Sequence, residues 1–330
     1  YISWYYYMKN NLSNIKKAIK YLNKNECVGI PTETVYGLAA NAYSSIATAK
    51  IYKLKKRPKK NPLIVHYFNL KLLKKDCEIN KRFLTLYKKY SPGPISYILK
   101  LRKKSLISNN VTNKKKTLAV RFPSHPIVRN LLKRLKYPLA APSANISTKI
   151  SPVSKNDVKD EFGKKIKFIL DGNQSKIGVE STIVDLVDKP QVLRLGGIPK
   201  NQINKSLKLD LTYNKKAKIK SPGQGQIHYS PYINIRLNVK NSNKKEAFIL
   251  IKKRNEKNKN HFYLSKNKNL KEAARNLYKT LRLIKKRNFK SIAVEKIPNT
   301  KKSRNQARGE PQIWRLGAKL GQVPAVQKRY

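Results

Sequence analysis

The segment from Ile30 to His66 constrains the fold of this chain more than any other stretch. It starts at the end of a short apolar run, Cys27–Ile30, and ends within a second one, Leu63–Tyr67, and both runs are bounded by Pro, Gly or Asn. Between the runs, three small or apolar residues recur at the spacing of one helix face: Ala47, Ile51 and Leu54. The pattern predicts a strand, a turn, a helix, a second turn and a second strand.

Two basic residues, Lys55 and Arg57, fall at the exit of that predicted helix, beside the strand ends. Ligands of open α/β sheets bind just outside the strand ends, and a guanidinium next to an ammonium suits a phosphate or carboxylate. For Lys-x-Arg alone, a solvated basic helix end favoured by the helix dipole is the simpler explanation. The Thr-Glu-Thr turn at 32–34 and the strand ending at His66 favour an anion site instead.

Length and composition limit the class of protein. At 330 residues the chain exceeds the usual single core, so we expect two domains. No run of about 18 uncharged apolar residues and no signal-peptide pattern occurs, so we expect a cytoplasmic protein without membrane contact. Two cysteines, Cys27 and Cys77, make neither a disulfide framework nor a metal cluster.

The formal charge of +58 invites a nucleic-acid partner, because such a surface attracts phosphate backbones. However, Lys, Asn, Ile and Tyr are abundant together, and their codons are rich in A and T. A biased genome would produce the same excess without selection for RNA binding. The charge therefore favours polyanionic ligands, with tRNA or double-stranded RNA as one option.

The remaining elements predict an α/β fold: a twisted mixed sheet with flanking helices, plus a smaller doubly wound domain. Ser13 is expected to cap a first helix with an apolar stripe from Leu12 to Leu22. Further strands are predicted at Ile95–Leu101, Thr117–Phe122, Ile166–Leu170, Thr182–Val187, Gln191–Leu195, Ala247–Ile251, Phe262–Leu264 and Ser291–Val294, with helices at Pro126–Leu135 and around Leu270–Ile284.

We divide the chain into five parts. Residues 1–7 are expected to be an upstream extension, because the only methionine is Met8. Residues 8–208 form the catalytic domain, 209–234 a linker rich in Lys, Pro and Gly, and 235–303 the C-terminal domain. Residues 304–330 are an atypical tail, since Lys becomes rare there while Ala, Gly, Gln and Arg rise.

The segment at 30–66 closely resembles the YrdC family of L-threonylcarbamoyladenylate synthases, and the resemblance recurs in the family's order as far as residue 197. Five downstream blocks carry it: Thr117-Leu-Ala-Val-Arg121-Phe-Pro, Ala141-Pro-Ser143-Ala-Asn145-Ile-Ser147, Ser151-Pro, Gly178-Val-Glu-Ser181-Thr-Ile-Val-Asp185 and Leu193-Arg194-Leu-Gly-Gly. The linker sequence Ser221-Pro222-Gly223-Gln-Gly-Gln-Ile-His228-Tyr229-Ser230-Pro231 is similar to that of the two-domain form.

The resemblance implies a YrdC-like sheet followed by a Rossmann-like C-terminal domain. It also implies one reaction, in which L-threonine, bicarbonate and ATP give threonylcarbamoyl-AMP and pyrophosphate, a step toward threonylcarbamoyladenosine in tRNA. Downstream tRNA threonylcarbamoyl transferase machinery is then a partner. Mg²⁺ is expected with ATP, and its ligands stay unassigned.

The resemblance also assigns residues. L-threonine is expected at Thr34, His66, Arg121, Ser143 and Ser181. ATP is expected at Arg57, Asn61, Thr117, Ala141, Asn145, Ser151, Arg194, His228 and Tyr229. The Lys-x-Arg signature makes Lys55 and Arg57 the catalytic candidates.

Simpler roles exist for several of these residues. His66 could be a hydrogen-bonded structural histidine, and Ser143 and Asn145 could be turn formers after a proline. Glu33, Glu180 and Asp185 could be caps or ion-pair partners rather than metal ligands. Thr148 stands where the family commonly has glycine, so a positive φ there would strain the loop.

Other classes find less support. No Gly-x4-Gly-Lys-Ser/Thr loop, Gly-x-Ser-x-Gly elbow or His-Glu-x-x-His helix occurs. The alternative from another class is a noncatalytic double-stranded RNA-binding protein of the same fold, since its basic concave face could bind an RNA backbone. RNA binding alone would not require the Lys-x-Arg, Ser-x-Asn and threonine-site residues together.

Overall fold

A computed structural model of the chain describes residues 2–213, 230–254 and 258–296, with side chains from residue 12 onward. Its helices are α1 (Ile2–Asn23), α2 (Ser45–Lys55), α3 (Leu70–Asp76), α4 (Lys81–Tyr90), α5 (Asn109–Thr112), α6 (Pro126–Arg134), α7 (Lys155–Phe162), α8 (Lys200–Leu207) and α9 (Leu270–Lys286).

The strands of the first sheet are β1 (Val28–Ile30), β2 (Gly37–Asn41), β3 (Ile64–His66), β4 (Ile95–Lys100), β5 (Thr117–Arg121), β6 (Leu139–Ala140), β7 (Phe168–Ile169), β8 (Thr182–Asp185), β9 (Gln191–Arg194) and β10 (Thr212–Tyr213). The second sheet contains β11 (Asn234–Val239), β12 (Ala247–Lys252), β13 (His261–Ser265) and β14 (Ser291–Glu295).

The first sheet is mixed, as expected, and runs in the order β10-β9-β8-β4-β5-β3-β6-β2-β1-β7 among the described residues. The second runs β11-β14-β12-β13, and its pairs are all parallel. Helix α9 packs on the second sheet through residues spaced at three and four, including Leu277, Leu281 and Ile284. The structure thus has the predicted large mixed sheet and small parallel sheet.

Two local predictions are wrong. Gly37–Asn41 forms strand β2, antiparallel to β1, where the sequence predicted only a turn before the helix. Its residues are buried on both faces, so they show no alternation of polar and apolar residues that would signal a strand. Ser13 does not begin α1; it lies exposed within that helix, because the helix continues to Ile2 through residues without a breaker.

Helix α2 ends where the sequence predicts. The Ser44 side chain accepts a hydrogen bond from the Ala47 amide and caps its start, and Lys56 adopts a left-handed conformation with φ 49° just past its end. The left-handed residue turns the chain sharply between Lys55 and Arg57. The side chains of Lys55 and Arg57 are therefore both buried, although both residues lie at a helix exit.

The second domain shares an apolar core with the first. Four residues of the first domain, Val35, Ile150, Val153 and Val179, belong to the same buried cluster as the inner faces of the second sheet and α9. The two sheets are consequently joined by packing as well as by the linker.

Candidate active site

A pocket opens at one edge of the first sheet. Strands β3 and β5 are parallel and end side by side, with His66 paired in register with Arg121. Strand β8 begins and β9 ends at the same edge, because β4 runs antiparallel to β5 and parallel to β8. Fifteen residues line this pocket: Thr32, Thr34, Val35, Tyr36, Gly37, Arg57, Ile64, His66, Arg121, Ala141, Pro142, Ser143, Glu180, Ser181 and Arg194.

The turn at residues 32–35 forms one wall. The Thr32 hydroxyl donates to the Val35 carbonyl at 2.6 Å and accepts from the Thr34 amide at 3.2 Å. It also lies 2.8 Å from the Thr34 hydroxyl. Because the short side chains satisfy the backbone of the turn, Thr34 is held buried and facing the pocket.

Arg121 is fixed by a buried carboxylate. Its terminal nitrogen lies 2.7 Å from Glu33, whose second oxygen accepts a hydrogen bond from the Ser124 amide. Nε of Arg121 is buried and has no hydrogen-bond partner among the described residues. Glu33 therefore acts as an ion-pair partner, and Arg121 keeps a buried donor for a further acceptor.

His66 lies beside Arg121 and is also buried. Burial and the neighbouring Arg121 charge lower the pKa of His66 well below its ordinary value, so the ring is neutral. Its Nδ1 has no partner within the described part of the chain. A hydrogen-bonded structural role is thus absent for this nitrogen, and a ligand group could bind it.

Ser181 belongs to a network of side chains at the start of β8. Arg194 donates to its carbonyl oxygen and to its hydroxyl, each at 3.0 Å, and the Ser96 hydroxyl lies 2.7 Å away. Ser96 comes from β4 and Arg194 from β9. The long-range network fixes the orientation of the Ser181 hydroxyl toward the pocket.

The Lys-x-Arg pair divides into two environments. Lys55 donates to the carbonyl oxygens of Ser143 and Asn145, both at 2.5 Å, and does not line the pocket. Burial and the Arg57 charge lower the pKa of Lys55 well below its ordinary value. Lys55 therefore binds the main chain of the Ser143–Asn145 loop and is not part of the pocket lining.

Arg57 does line the pocket. Its Nε donates to the Asn61 carbonyl at 3.0 Å and one terminal nitrogen donates to the Pro62 carbonyl at 2.9 Å. Burial lowers the pKa of Arg57 to about 10, which keeps it charged at neutral pH. The main chain thus orients the Arg57 guanidinium, and this positive charge lies at the wall of the pocket.

The Ser-x-Asn signature forms a closed loop. The Ser143 hydroxyl donates to Oδ1 of Asn145 at 2.6 Å, and Nδ2 of Asn145 donates to the carbonyls of Ile146 and Lys149, both at 2.8 Å. Both side chains act as turn formers, and Ser143 lines the pocket as well. Asn145 lies behind it.

Eight of the predicted site residues therefore meet in one pocket: Thr34, Arg57, His66, Ala141, Arg121, Ser143, Ser181 and Arg194. Lys55, Asn61, Asn145 and Ser151 surround it without lining it. Thr117 lies at the opposite end of β5 from Arg121, paired with Lys100. His228 and Tyr229 lie outside the described residues.

Sequence reasoning included Thr32 only as part of the predicted turn and missed two further residues that shape this site. Thr32 orders the turn, Ser96 reaches Ser181, and Tyr278 of α9 donates to the pocket residue Glu180 at 2.9 Å. The role of Thr32 could have been found, because a Thr hydroxyl can hydrogen-bond to the backbone amides two and three residues on. The other two contacts depend on strand order and domain packing, which no local pattern contains.

The described residues contain neither a metal-ligand cluster nor a membrane-spanning helix. Among the described residues, no cluster of three His, Cys, Asp or Glu side chains could hold a metal ion. Asp185 accepts a hydrogen bond from the Val187 amide at 3.2 Å, as a local turn cap would. Within the described part of the chain, the helices are too short or too polar to cross a membrane.

Two family models match consecutive parts of this chain. The Sua5/YciO/YrdC family model, described as "Telomere recombination", matches residues 20–196, and the model described as "Threonylcarbamoyl-AMP synthase, C-terminal domain" matches residues 198–307. A threonylcarbamoyl-AMP synthase of Pyrococcus abyssi is 40% identical over 66% of this chain and 65% of its own length. That of Bacillus subtilis is 39% identical over 68% of this chain and 66% of its own length. The chain thus spans just under two thirds of these relatives.

Solved structures agree. The crystal structure of P. abyssi Sua5 complexed with L-threonine has a TM-score of 0.78 and 33% identity, over 85% of this chain and 88% of that one. A variant of P. abyssi Sua5 has the same TM-score and 30% identity, over 93% of each chain. These likenesses confirm the predicted α/β fold with its second parallel sheet.

Proposed function

We propose a function for this chain on the basis of its family. The chain belongs to the Sua5/YciO/YrdC family, whose model covers more than half of its length. The chain makes threonylcarbamoyl-AMP and pyrophosphate from L-threonine, bicarbonate and ATP. This product supplies threonylcarbamoylation of tRNA, so a tRNA threonylcarbamoyl transferase is the partner that consumes it. The reaction takes place in the cytoplasm.

One observation carries the proposal: Nε of Arg121 and Nδ1 of His66 lie at paired strand ends, both buried and both without a partner among the described residues. Leaving a buried polar atom unpaired is costly, so two such atoms on residues that line one pocket favour a bound ligand there. An amino-acid carboxylate fits Nε of Arg121. The hydroxyls of Thr34, Ser143 and Ser181 would then bind the remaining polar groups of L-threonine.

The chemistry needs placement and charge. The L-threonine nitrogen attacks the carbon of bicarbonate, water leaves, and an oxygen of the resulting carbamate attacks the α-phosphorus of ATP as pyrophosphate departs. Arg57 and Arg194 line the same pocket and neutralise the phosphate charge. Lys55 supports the reaction by holding the Ser143–Asn145 loop.

The ATP site extends beyond the pocket. We assign Ala141, Asn145 and Ser151 to ATP; Ala141 lines the pocket, whereas the other two are not part of its lining. His228 and Tyr229 of the linker are assigned to ATP as well. Asn61 offers Oδ1, which is buried without a partner in the described residues. Thr117 is the assignment with least support, because it lies at the far end of β5.

Mg²⁺ with ATP remains a prediction. The carboxylates nearest the pocket, Glu33 and Glu180, already accept hydrogen bonds from Arg121, Ser124, Ser151 and Tyr278. The described side chains do not suit a protein-held metal, so we derive no step through one.

The double-stranded RNA-binding alternative stays a second prediction without an observation in its favour. It requires a basic surface but gives no reason for unpaired buried polar atoms on residues that line a pocket.

The experiment is a pyrophosphate-release assay with ATP, bicarbonate and L-threonine, together with mass detection of threonylcarbamoyl-AMP. We expect release that depends on both L-threonine and bicarbonate. Arg121→Ala should abolish this release. Lys59→Ala, which removes an exposed positive charge shortly after α2, should not. Pyrophosphate release that continues without L-threonine would contradict the proposal.

A further inference from the structure

The pocket residue Glu180 is held by both domains. One of its oxygens accepts a hydrogen bond from the Ser151 hydroxyl at 2.5 Å, and the other accepts from the Tyr278 hydroxyl at 2.9 Å. Ser151 belongs to the first domain, whereas Tyr278 lies on α9 of the second. All three side chains are buried. The second domain therefore contributes a hydrogen bond to a wall of the active-site pocket.

The same helix contacts the main chain next to Glu180. Gly178 has φ 74°, and a Cβ placed on it would lie 2.5 Å from the carbonyl oxygen of Arg275 and 2.7 Å from its Cα. Such distances allow only glycine, so the loop backbone packs directly on the backbone of α9. Val179 joins the apolar cluster that contains Leu277. Helix α9 thus fixes the loop at 178–181 by its backbone, its apolar face and a hydrogen bond.

We propose that Tyr278 is a positioning residue for L-threonine binding: through Glu180 it holds the loop that carries Ser181 and so couples the second domain to the pocket of the first. The inference rests on the proposed function and adds to it a residue from the other domain. Tyr278 touches Glu180 and acts on the substrate only through this loop.

The coupling follows from the chemistry of Glu180. A buried carboxylate needs donors on both oxygens, and losing one makes the side chain seek another partner. The main chain of Glu180 is also engaged, since its carbonyl accepts a hydrogen bond from the Gly197 amide at 3.0 Å. A turn of the carboxylate therefore strains the next residue, Ser181, whose hydroxyl already accepts from Arg194. The predicted result is a displaced Ser181 hydroxyl and weaker L-threonine binding.

The test is Tyr278→Phe in the full chain, which removes the hydroxyl and keeps the buried ring. We expect KM for L-threonine to rise about tenfold with kcat within about twofold of wild type. A purely structural role predicts the opposite split, because partial unfolding lowers the apparent kcat and leaves KM unchanged. An unchanged KM would overturn the proposal.

Tyr90→Phe is the matched control. The Tyr90 hydroxyl bridges α4 and α8, with contacts of 2.9 Å to the Gln202 carbonyl and 2.7 Å to the Ser206 hydroxyl, away from the pocket. The same Tyr→Phe change here removes a hydroxyl that joins two elements without touching Glu180. We expect KM for L-threonine to stay at the wild-type value.

A double-mutant cycle with Glu180→Gln tests the route. If Tyr278 acts through Glu180, the two changes in KM should not multiply in the double variant. Independent, multiplying effects would overturn the route through Glu180. The L-threonine Kd from calorimetry gives the same ratios without turnover, so a wild type that binds L-threonine but releases no pyrophosphate would refute the proposed reaction and still test the role of Tyr278.

Discussion

Glu33 and Arg121 form an ion pair of 2.7 Å that is almost excluded from solvent, with 8% and 5% of the two side chains exposed. The pair joins the turn after β1 to the end of β5. It leaves Nε of Arg121 as a buried donor inside the pocket. Stability and ligand binding therefore depend on the same guanidinium.

Removing Glu33 should destabilise the protein strongly. Glu33→Ala leaves a buried charge without its partner, which should lower the free energy of unfolding by about 3–5 kcal/mol in urea titrations. The control is Glu78→Ala, which breaks the exposed pair with Lys100 at 3.2 Å and should cost at most about 1 kcal/mol. Equal losses of unfolding free energy in the two variants would show that the buried pair stabilises the protein no more than the exposed one.

Arg57 should not be replaceable by lysine. The guanidinium donates to the carbonyls of Asn61 and Pro62 and also faces the pocket, and a single ammonium cannot reach all three directions. We expect Arg57→Ala to abolish pyrophosphate release and Arg57→Lys to lower kcat/KM by about 100-fold. Lys59→Ala controls for the general loss of positive charge. A fully active Arg57→Ala would remove Arg57 from the site.

The stability of the protein should fall in mild acid because of His66. Its folded-state pKa lies well below the ordinary 6.5, so the unfolded chain takes up the proton first as the pH falls. The stability is fully present above the unfolded pKa and is lost below it, by up to about 1.4 kcal/mol per pH unit. His66→Asn should flatten that slope in urea unfolding measured across this range.

His125 provides the control for that measurement. Burial lowers its pKa too, so it adds a contribution of its own to the acid slope. His125→Asn should remove only that contribution and leave the one from His66. An acid slope unchanged by His66→Asn would mean that folding does not lower the pKa of His66.

Thr148 adopts φ 74°, a conformation that strains a β-branched residue. Its hydroxyl bonds to the Ser147 carbonyl and the Tyr232 hydroxyl, so Thr148→Gly alone would mix two effects. Thr148→Gly and Thr148→Ala both lose the hydroxyl and differ in the Cβ. We expect Thr148→Gly to be about 1 kcal/mol more stable than Thr148→Ala in thermal unfolding. Equal stability would show that the loop relaxes around a Cβ.

Substrate choice should depend on the hydroxyl of L-threonine. The pocket presents the hydroxyls of Thr34, Ser143 and Ser181, and a site built to hydrogen-bond a substrate hydroxyl rejects an isostere without it by roughly 10⁴-fold. L-Valine should therefore release almost no pyrophosphate, whereas L-serine should be used weakly. The check is kcat/KM for each amino acid at saturating ATP and bicarbonate. Comparable rates with valine would refute hydroxyl recognition.

Local patterns in the sequence determined most of the elements and singled out eight residues that line one pocket. The buried runs at β3, β5 and β8 and the helical spacing of α2 and α9 are visible because their neighbours lie two, three or four positions apart. Strand β2 was missed because it is buried on both faces, and Ser13 was misplaced because nothing local stops α1 before it.

Tertiary structure alone decided which partners those residues meet. Lys55 binds two carbonyls 88 and 90 residues away, and Thr117 lies at the opposite end of β5 from Arg121. Tyr278 reaches Glu180 across 98 residues and ties together domains that the sequence presents as separate units. Such contacts depend on strand order and domain packing, and those arise from burying whole apolar faces that no short segment encodes.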